Sequence, residues 1–196
     1  VTLKQALDRG LPPLQAQLEV APEVALGVIA ELASVYGNLG EAERGQQLLS
    51  DALTRAGAIS LPSELRFDAW LRLARLQQNS GHLDSAEQSL KHASTLVKDA
   101  NDLERLTLIS AEVDWAAGRK DEAIAVAQNA LDALTRTHTR EAQTQRLAWL
   151  RLLSNAWFDR GDPLKALQTD TAILELQESI GSPADIGVAA YYLAST

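Results

Sequence analysis

Four glycines, Gly40, Gly81, Gly118 and Gly161, mark a pattern that repeats along this chain. The residues seven before, five after and twelve after each glycine are small in eleven of twelve cases, and Ile173 is the exception. Antiparallel helices approach closely only where facing side chains are small, and a glycine at a helix end allows the positive φ of a C-terminal cap. The pattern therefore predicts repeated pairs of antiparallel helices that turn at these glycines.

Large residues keep the register of the glycines, at corresponding positions in three repeats: Ile29, Leu32 and Tyr36, then Trp70 and Leu73, then Leu150, Leu153 and Trp157. This arrangement resembles the tetratricopeptide (TPR) repeat, a helix-turn-helix unit with large and aromatic positions on its first helix and small ones on its second. The resemblance implies a right-handed α-solenoid. The steps between repeats, 41, 37 and 43 residues, exceed the usual unit of about 34, so we expect longer helices or linkers.

Composition and local signals agree with an all-α fold of about four TPR-like repeats plus flanking helices. Leu and Ala dominate and β-branched runs are scarce. Pro22, Pro163 and Pro183 suit first helical turns, and Asp162 and Ser182 precede two of them as N-caps. The predicted helices are a leading one at about 2–20, pairs at about 23–38 and 41–56, 63–80 and 83–99, 101–117 and 120–135, 140–160 and 163–179, and a last helix from 183.

The domain expectation is a single solenoid over 1–196, with repeats near 26–59, 67–100, 104–137 and 147–180 and a partial repeat at 183–196. The last segment, from Pro183 to Ser195, aligns with the segment from Pro22 to Ser34, so it predicts the first helix of a fifth repeat. A capping helix, a fragment boundary and a dimer contact through this helix are the alternatives. Because the chain contains no Met, we expect it to be a piece of a longer protein.

Several classes of function find no support in the residues. The net charge is −8 and the basic residues form no stripe, so nucleic acid is not an expected partner. We expect no membrane contact by this segment, since no apolar run is long enough to span a bilayer. The three histidines, His82, His92 and His138, have no second ligand at helical spacing, and nucleotide-binding and catalytic motifs are absent. We therefore expect no metal, no cofactor and no enzyme activity, with an α-solenoid enzyme as the remote alternative.

The segment from Leu3 to Leu53 carries a second resemblance. Its Leu18, Pro22, Val35-Tyr36 and Leu39-Gly40 are similar to the opening of the TPR region in certain bacterial transmembrane serine/threonine protein kinases. The resemblance implies a non-catalytic sensory or docking region, which favours a periplasmic location, with a cytoplasmic one as the alternative. Regulatory TPR regions of bacterial transcription activators and signalling ATPases are similar enough to compete.

The candidate binding residues follow from the TPR resemblance, which implies that repeat positions 2, 5, 9, 12 and 13 line a concave groove. We expect a protein or peptide ligand there, on Arg75, Gln78, Asn79, Arg105, Glu112, Trp115, Arg151, Asn155 and Phe158. Gly37 falls on the groove side and leaves its end bare, so binding is expected on repeats 2 to 4. Ordinary solvated residues are the competing interpretation.

Two departures from the TPR pattern limit the interpretation. Arg151 and Asn155 match half of the clamp that holds chaperone C-termini, but Tyr192 stands where the second Asn belongs, so we expect no chaperone-tail binding. Asp114 occupies a position that is normally large and buried, and we expect it to be paired or hydrated because a buried unpaired carboxylate is costly.

The tripeptide Arg160-Gly161-Asp162 is interpreted as a repeat turn and a helix cap.

Overall fold

The fold was analysed in a computed structural model that describes residues 3–57, 61–135, 137 and 139–180. This part of the chain is all-helical, with the following elements: α1 Leu3–Gln17, α2 Pro22–Asn38, α3 Ala42–Ala56, α4 Ser63–Asn79, α5 Leu83–Ser94, α6 Ala100–Ala116, α7 Lys120–Leu134, α8 Arg140–Arg160 and α9 Pro163–Ile180. The prediction of an all-α helical repeat protein is confirmed. The predicted helix from 183 and the partial repeat lie outside the described residues.

The chain forms two compact units, residues 1–113 and 114–196. In unit 1, α2 pairs with α3 and α4 with α5, while α4 also packs against both α2 and α3. Its core contains Leu26, Ile29, Tyr36 and Leu49 near the start of the chain and Phe67 further on. In unit 2, α8 packs against α7 and α9, and the largest fully buried side chain is that of Trp149. Whether 1–196 is one domain stays a prediction.

The four register glycines all occupy the left-handed region, with φ of 78°, 76°, 83° and 85° at Gly40, Gly81, Gly118 and Gly161. At each turn, the N–H of the following residue donates to the carbonyl five residues earlier, at 2.8 to 3.0 Å. At Gly40, for example, the Glu41 N–H donates to the Tyr36 carbonyl at 2.8 Å. This bond pattern is that of a Schellman cap, which closes a helix with a positive-φ residue. The predicted turns are confirmed.

Small residues meet where paired helices approach most closely. A Cβ added to Gly45 on α3 would lie 2.4 Å from the backbone carbonyl oxygen of Ala33 on α2. Ala33 is fully buried, and so are Ala74 and Ala86 at the equivalent contact between α4 and α5. The predicted close approach is therefore confirmed, and it involves backbone as well as side chains.

Two helix boundaries differ from the predictions. The helix expected over 83–99 ends at Ser94, and a separate cap precedes α6: the Asp102 N–H donates to Asp99 Oδ1 at 2.9 Å, and the Lys98 N–H donates to Asp102 Oδ2 at 3.1 Å. The leading helix ends at Gln17 rather than near 20, since the chain then turns to bury Leu18 in the core. Two of the three prolines are confirmed in first helical turns, because α2 begins at Pro22 and α9 at Pro163, whereas Pro183 and its predicted cap Ser182 lie outside the described residues.

Candidate functional site

A concave cavity of about 490 Å³ opens in unit 1 between α2, α4 and α6, the first helices of three successive pairs. We call it the first-helix groove, and its lining residues are Ser34, Gly37, Asn38, Asp68, Leu71, Arg72, Arg75, Leu76, Asn79, Arg105, Leu108 and Ile109. Its floor is apolar because Leu71, Leu76 and Ile109 are buried there. The amides of Asn38 and Asn79 belong to its polar lining.

Ion pairs join neighbouring helices beside this groove. On α4, Arg75 donates from Nε and Nη2 to the Glu112 carboxylate of α6 at 2.9 to 3.1 Å. Asp68, also on α4, accepts from Arg105 Nη2 at 2.6 Å, and the guanidinium of Arg105 lies 5.3 Å from the ring centre of Phe67. Three of the predicted residues, Arg75, Arg105 and Glu112, thus meet in two adjacent pairs.

A third pair links α4 to α2. Arg72 Nη2 donates to Glu31 Oε1 at 2.5 Å, and its Nη1 donates to the Ser34 hydroxyl at 3.0 Å. Sequence reasoning missed Arg72, since it falls at repeat position 6, which the TPR resemblance does not assign to the groove. The signal was present: Glu31 and Arg72 occupy the same repeat position in successive repeats, as a matched acid and base.

The other predicted residues of unit 1 fall at different depths. Asn79 lines the groove, whereas the neighbouring Gln78 is half-buried on α4 and does not line it. Gly37 lines the groove as expected, and a Cβ there would lie 2.7 Å from Leu76 Cδ2. The groove therefore reaches onto α2, in the first repeat, and its end at Gly37 is filled by the Leu76 side chain rather than bare.

The predicted residues after position 113 belong to unit 2. The indole N–H of Trp115 donates to Asp159 Oδ2 at 3.0 Å, and the Lys120 ammonium donates to the Asp159 carbonyl at 2.7 Å. On α8, Arg151 and Asn155 are exposed, and the side chain of Phe158 is 59% exposed. That these residues bind a ligand stays a prediction, and Tyr192 lies outside the described residues.

Asp114 is paired, as expected. It is half-buried, and its Oδ1 accepts from Arg119 Nε at 2.9 Å, across the turn at Gly118. The paired carboxylate belongs to the structure of this turn.

Asp162 is the N-cap that the sequence predicted. Its Oδ1 accepts from the Lys165 backbone N–H at 3.2 Å, while its Oδ2 lies 3.1 Å from Lys165 Nζ. The side-chain hydrogen bond from Lys165, followed by the backbone one, holds the pKa of the Asp162 carboxyl below its ordinary value of 3.8. Together with the left-handed Gly161, this confirms that Arg160-Gly161-Asp162 forms a turn and a cap.

The histidines and other polar residues form no cluster suited to a metal within the described ranges. His82 lies in a turn with its Nδ1 3.0 Å from Gln46 Oε1, and His92 is exposed and stacks on Trp70 at 4.4 Å between ring centres. His138 lies outside the part that the structure describes. No helix among the described residues is long and apolar enough to cross a bilayer.

The helix pairs, their glycine turns and the open first-helix groove define a helical-repeat scaffold. The family model of the FAT domain matches residues 33–180, well over half of the chain, and the chain belongs to this family of helical, TPR-like solenoids. FAT-type domains are scaffolds for protein interaction and are generally non-catalytic. A comparison with curated proteins gives no match.

Proposed function

We propose that this chain is a non-catalytic module that binds an extended peptide segment of a partner protein in the first-helix groove. The single observation that carries the proposal is the groove itself, an open cavity with a floor of leucine and isoleucine and a polar lining. An extended peptide exposes backbone N–H and C=O groups, which asparagine amides can pair, as well as side chains that the apolar floor can bury.

The size of the groove also suits a short segment. A cavity of about 490 Å³ holds a few side chains, which is the scale of small binding clefts. Three ion pairs link the lining arginines Arg72, Arg75 and Arg105 to neighbouring helices, so their guanidinium groups are oriented before a ligand arrives. Preorganisation of this kind lowers the entropic cost of binding.

A more specific proposal follows from the resemblance of residues 3–53 to the TPR region of bacterial serine/threonine kinases. We propose that the module is a TPR-type sensory or docking region of a bacterial transmembrane serine/threonine kinase. The coding sequence upstream of Val1 tests this directly. Kinase motifs followed by a membrane span would support it, whereas a DNA-binding domain would contradict it and indicate a transcription activator.

A peptide array tests the groove. The wild-type chain is compared with Leu108→Gln and Asn79→Ala, which change the groove lining, and with Leu164→Gln as a matched control. The control is exposed on α9, with 71% of Leu164 accessible, so it removes an equal side chain elsewhere. We expect both groove variants to lose at least about tenfold in affinity for the captured peptides while the control keeps it.

Two further variants, Trp115→Ala and Arg151→Ala, test the predicted residues of unit 2 in the same array. Unchanged capture by these two would remove them from the binding surface without affecting the first-helix groove. Unchanged capture by Leu108→Gln and Asn79→Ala would overturn the groove proposal, provided that circular dichroism shows all variants folded.

A further inference from the structure

Arginine side chains dominate the charged lining of the first-helix groove. Its lining holds three arginines, Arg72, Arg75 and Arg105, and the single carboxylate of Asp68, and each arginine is ion-paired, so the three pairs together carry no net charge. The whole chain carries −8. The acidic partners of Arg72 and Arg75, which are Glu31 and Glu112, do not line the cavity. A ligand in the groove can therefore contact the guanidinium groups directly, while Glu31 and Glu112 stay bonded to them and lower the charge that the ligand meets.

Each guanidinium also keeps donors without an acceptor among the described residues. Arg105 donates only from Nη2, Arg75 leaves Nη1 unused, and Arg72 leaves Nε unused. Their side chains are 42%, 48% and 36% exposed, so a ligand can reach them. Because a guanidinium has five N–H donors in a planar fork, it can hold a second carboxylate without releasing the first.

Apolar surface lies beside these cations. Leu71, Leu76, Leu108 and Ile109 share the lining with the three arginines. Burial of one leucine-sized side chain there contributes hydrophobic stabilisation, while the arginines discriminate between flanking charges. A basic peptide would instead bring its cations close to three guanidiniums.

From this geometry we propose that the first-helix groove selects an acidic peptide segment in which carboxylates flank an apolar residue. The inference rests on the proposed peptide-binding function and gives the chemical class of its ligand. The carboxylates pair with the unused N–H donors of Arg72, Arg75 and Arg105, and the apolar side chain contacts the leucine and isoleucine floor.

Three fluorescein-labelled peptides of about ten residues test the selection by fluorescence anisotropy. The first has glutamates on both sides of a central leucine, the second replaces the glutamates with lysines, and the third replaces the leucine with alanine. We expect the first to bind most tightly and each of the others at least about tenfold more weakly. Binding of the first peptide should also weaken as NaCl is raised, because salt screens exposed charges.

Substitution of the carboxylates that compete for the arginines gives a sharper test. Glu112→Gln and Glu31→Gln leave Arg75 and Arg72 as cations but remove their counter-charges, so affinity for the glutamate peptide should rise about two- to fivefold. The double variant Arg75→Gln with Glu112→Gln keeps a neutral polar pair between α4 and α6 but removes the cation. Its affinity for the glutamate peptide should therefore be about two- to fivefold lower than that of the wild type. Asp121→Asn is the matched control, since its partner Arg160 lies in unit 2.

The outcomes separate this inference from the proposed function. If the lysine peptide binds as tightly as the glutamate peptide, or if Glu31→Gln and Glu112→Gln do not raise affinity, the acidic selection is wrong although the groove still binds peptides. If array peptides bind in the groove while none of the three labelled peptides does, the selection is equally wrong. If no peptide binds at all, the proposed function itself is overturned.

Discussion

The contact between Gly45 and Ala33 makes a quantitative prediction about packing of α2 on α3. In Gly45→Ala, the new Cβ would lie 2.4 Å from the Ala33 carbonyl oxygen. Carbon and oxygen atoms approach to about 3.3 Å, so the two helices would have to separate by about 0.9 Å at this point. The obstacle is a backbone atom, and no side-chain rotation can relieve it.

The expected magnitude follows from two opposing effects. Overpacking in a core costs about 1–3 kcal/mol, and a gap of this size forfeits a substantial part of the dispersion between facing atoms. Alanine gains up to about 1 kcal/mol over glycine in helix propensity. Because α3 carries buried Leu48, Leu49 and Leu53 with it when it moves, we place the overpacking at the upper end of its range. The net loss in free energy of unfolding is then about 2 kcal/mol.

Gly37→Ala is the matched control. Its Cβ would also be too close, at 2.7 Å, but to the terminal Cδ2 of Leu76, a methyl group that can move. A strained rotamer costs about 0.5–1.5 kcal/mol, which the propensity gain offsets, so the net change should be close to zero.

Urea denaturation followed by far-ultraviolet circular dichroism compares the two variants with the wild type. Equal stability of Gly45→Ala and Gly37→Ala would refute the idea that the helix pair packs through backbone at Gly45. The double variant Ala33→Gly with Gly45→Ala should show no rescue, because the contact is with a carbonyl that every residue has. Rescue would place the clash on the Ala33 methyl group instead.

Three further predictions concern helix ends. Gly161→Ala should lower the free energy of unfolding by about 1–2 kcal/mol, and Gly161→Asn should lower it by less. The cost is conformational, because the backbone φ is 85° and an added Cβ would contact nothing. Urea denaturation midpoints should therefore rank the wild type first, Gly161→Asn second and Gly161→Ala last. Thr139→Ala should cost about 1 kcal/mol in the same assay, because the Thr139 hydroxyl accepts from the Ala142 N–H at 3.2 Å, and Thr139→Ser should retain most of it. Asp162→Asn keeps a capping side chain but removes the carboxyl, whose pKa is lowered in the folded state. The wild type should therefore be more stable than this variant above pH 3.8, and the difference in free energy of unfolding should vanish as the pH falls through the lowered pKa. A difference that stays constant with pH would contradict the charge effect.

The helices and turns could be predicted from the sequence because their signals are local. A glycine at a fixed distance from small residues specifies both the positive φ and the close approach: the structure has the positive φ at all four register glycines and the close approach between Gly45 and Ala33. The start of α6 has such a signal, Asp99 followed three residues later by Asp102, but the end of α5 at Ser94 has none of this kind. The helical periodicity continues past Ser94, so it predicts a longer α5 than the structure has.

The groove could be predicted only in part, for a different physical reason. The repeat positions predicted most of the lining, including Asn79 and Arg105. This is possible because the position of a residue within the first helix of a repeat determines which way its side chain faces. The pairing of charges is a property of two helices together, because Glu31 meets Arg72 across 41 residues of chain. The pairing therefore becomes visible only when the same repeat position is compared in successive repeats, as it is for Glu31 and Arg72.

The ion pairs also bear on how this groove can discriminate between ligands. Exposed pairs contribute little to stability, so their removal should leave the fold intact. We expect their effect on the proposed ligand to be larger, because Glu31 and Glu112 hold two guanidiniums at the groove and at the same time lower the charge that an incoming carboxylate would meet. Stability and affinity should therefore separate in the Glu→Gln variants, with unchanged denaturation midpoints and tighter binding of acidic peptides. A fall in stability of several kcal/mol would show instead that the pairs serve mainly to hold α2, α4 and α6 together.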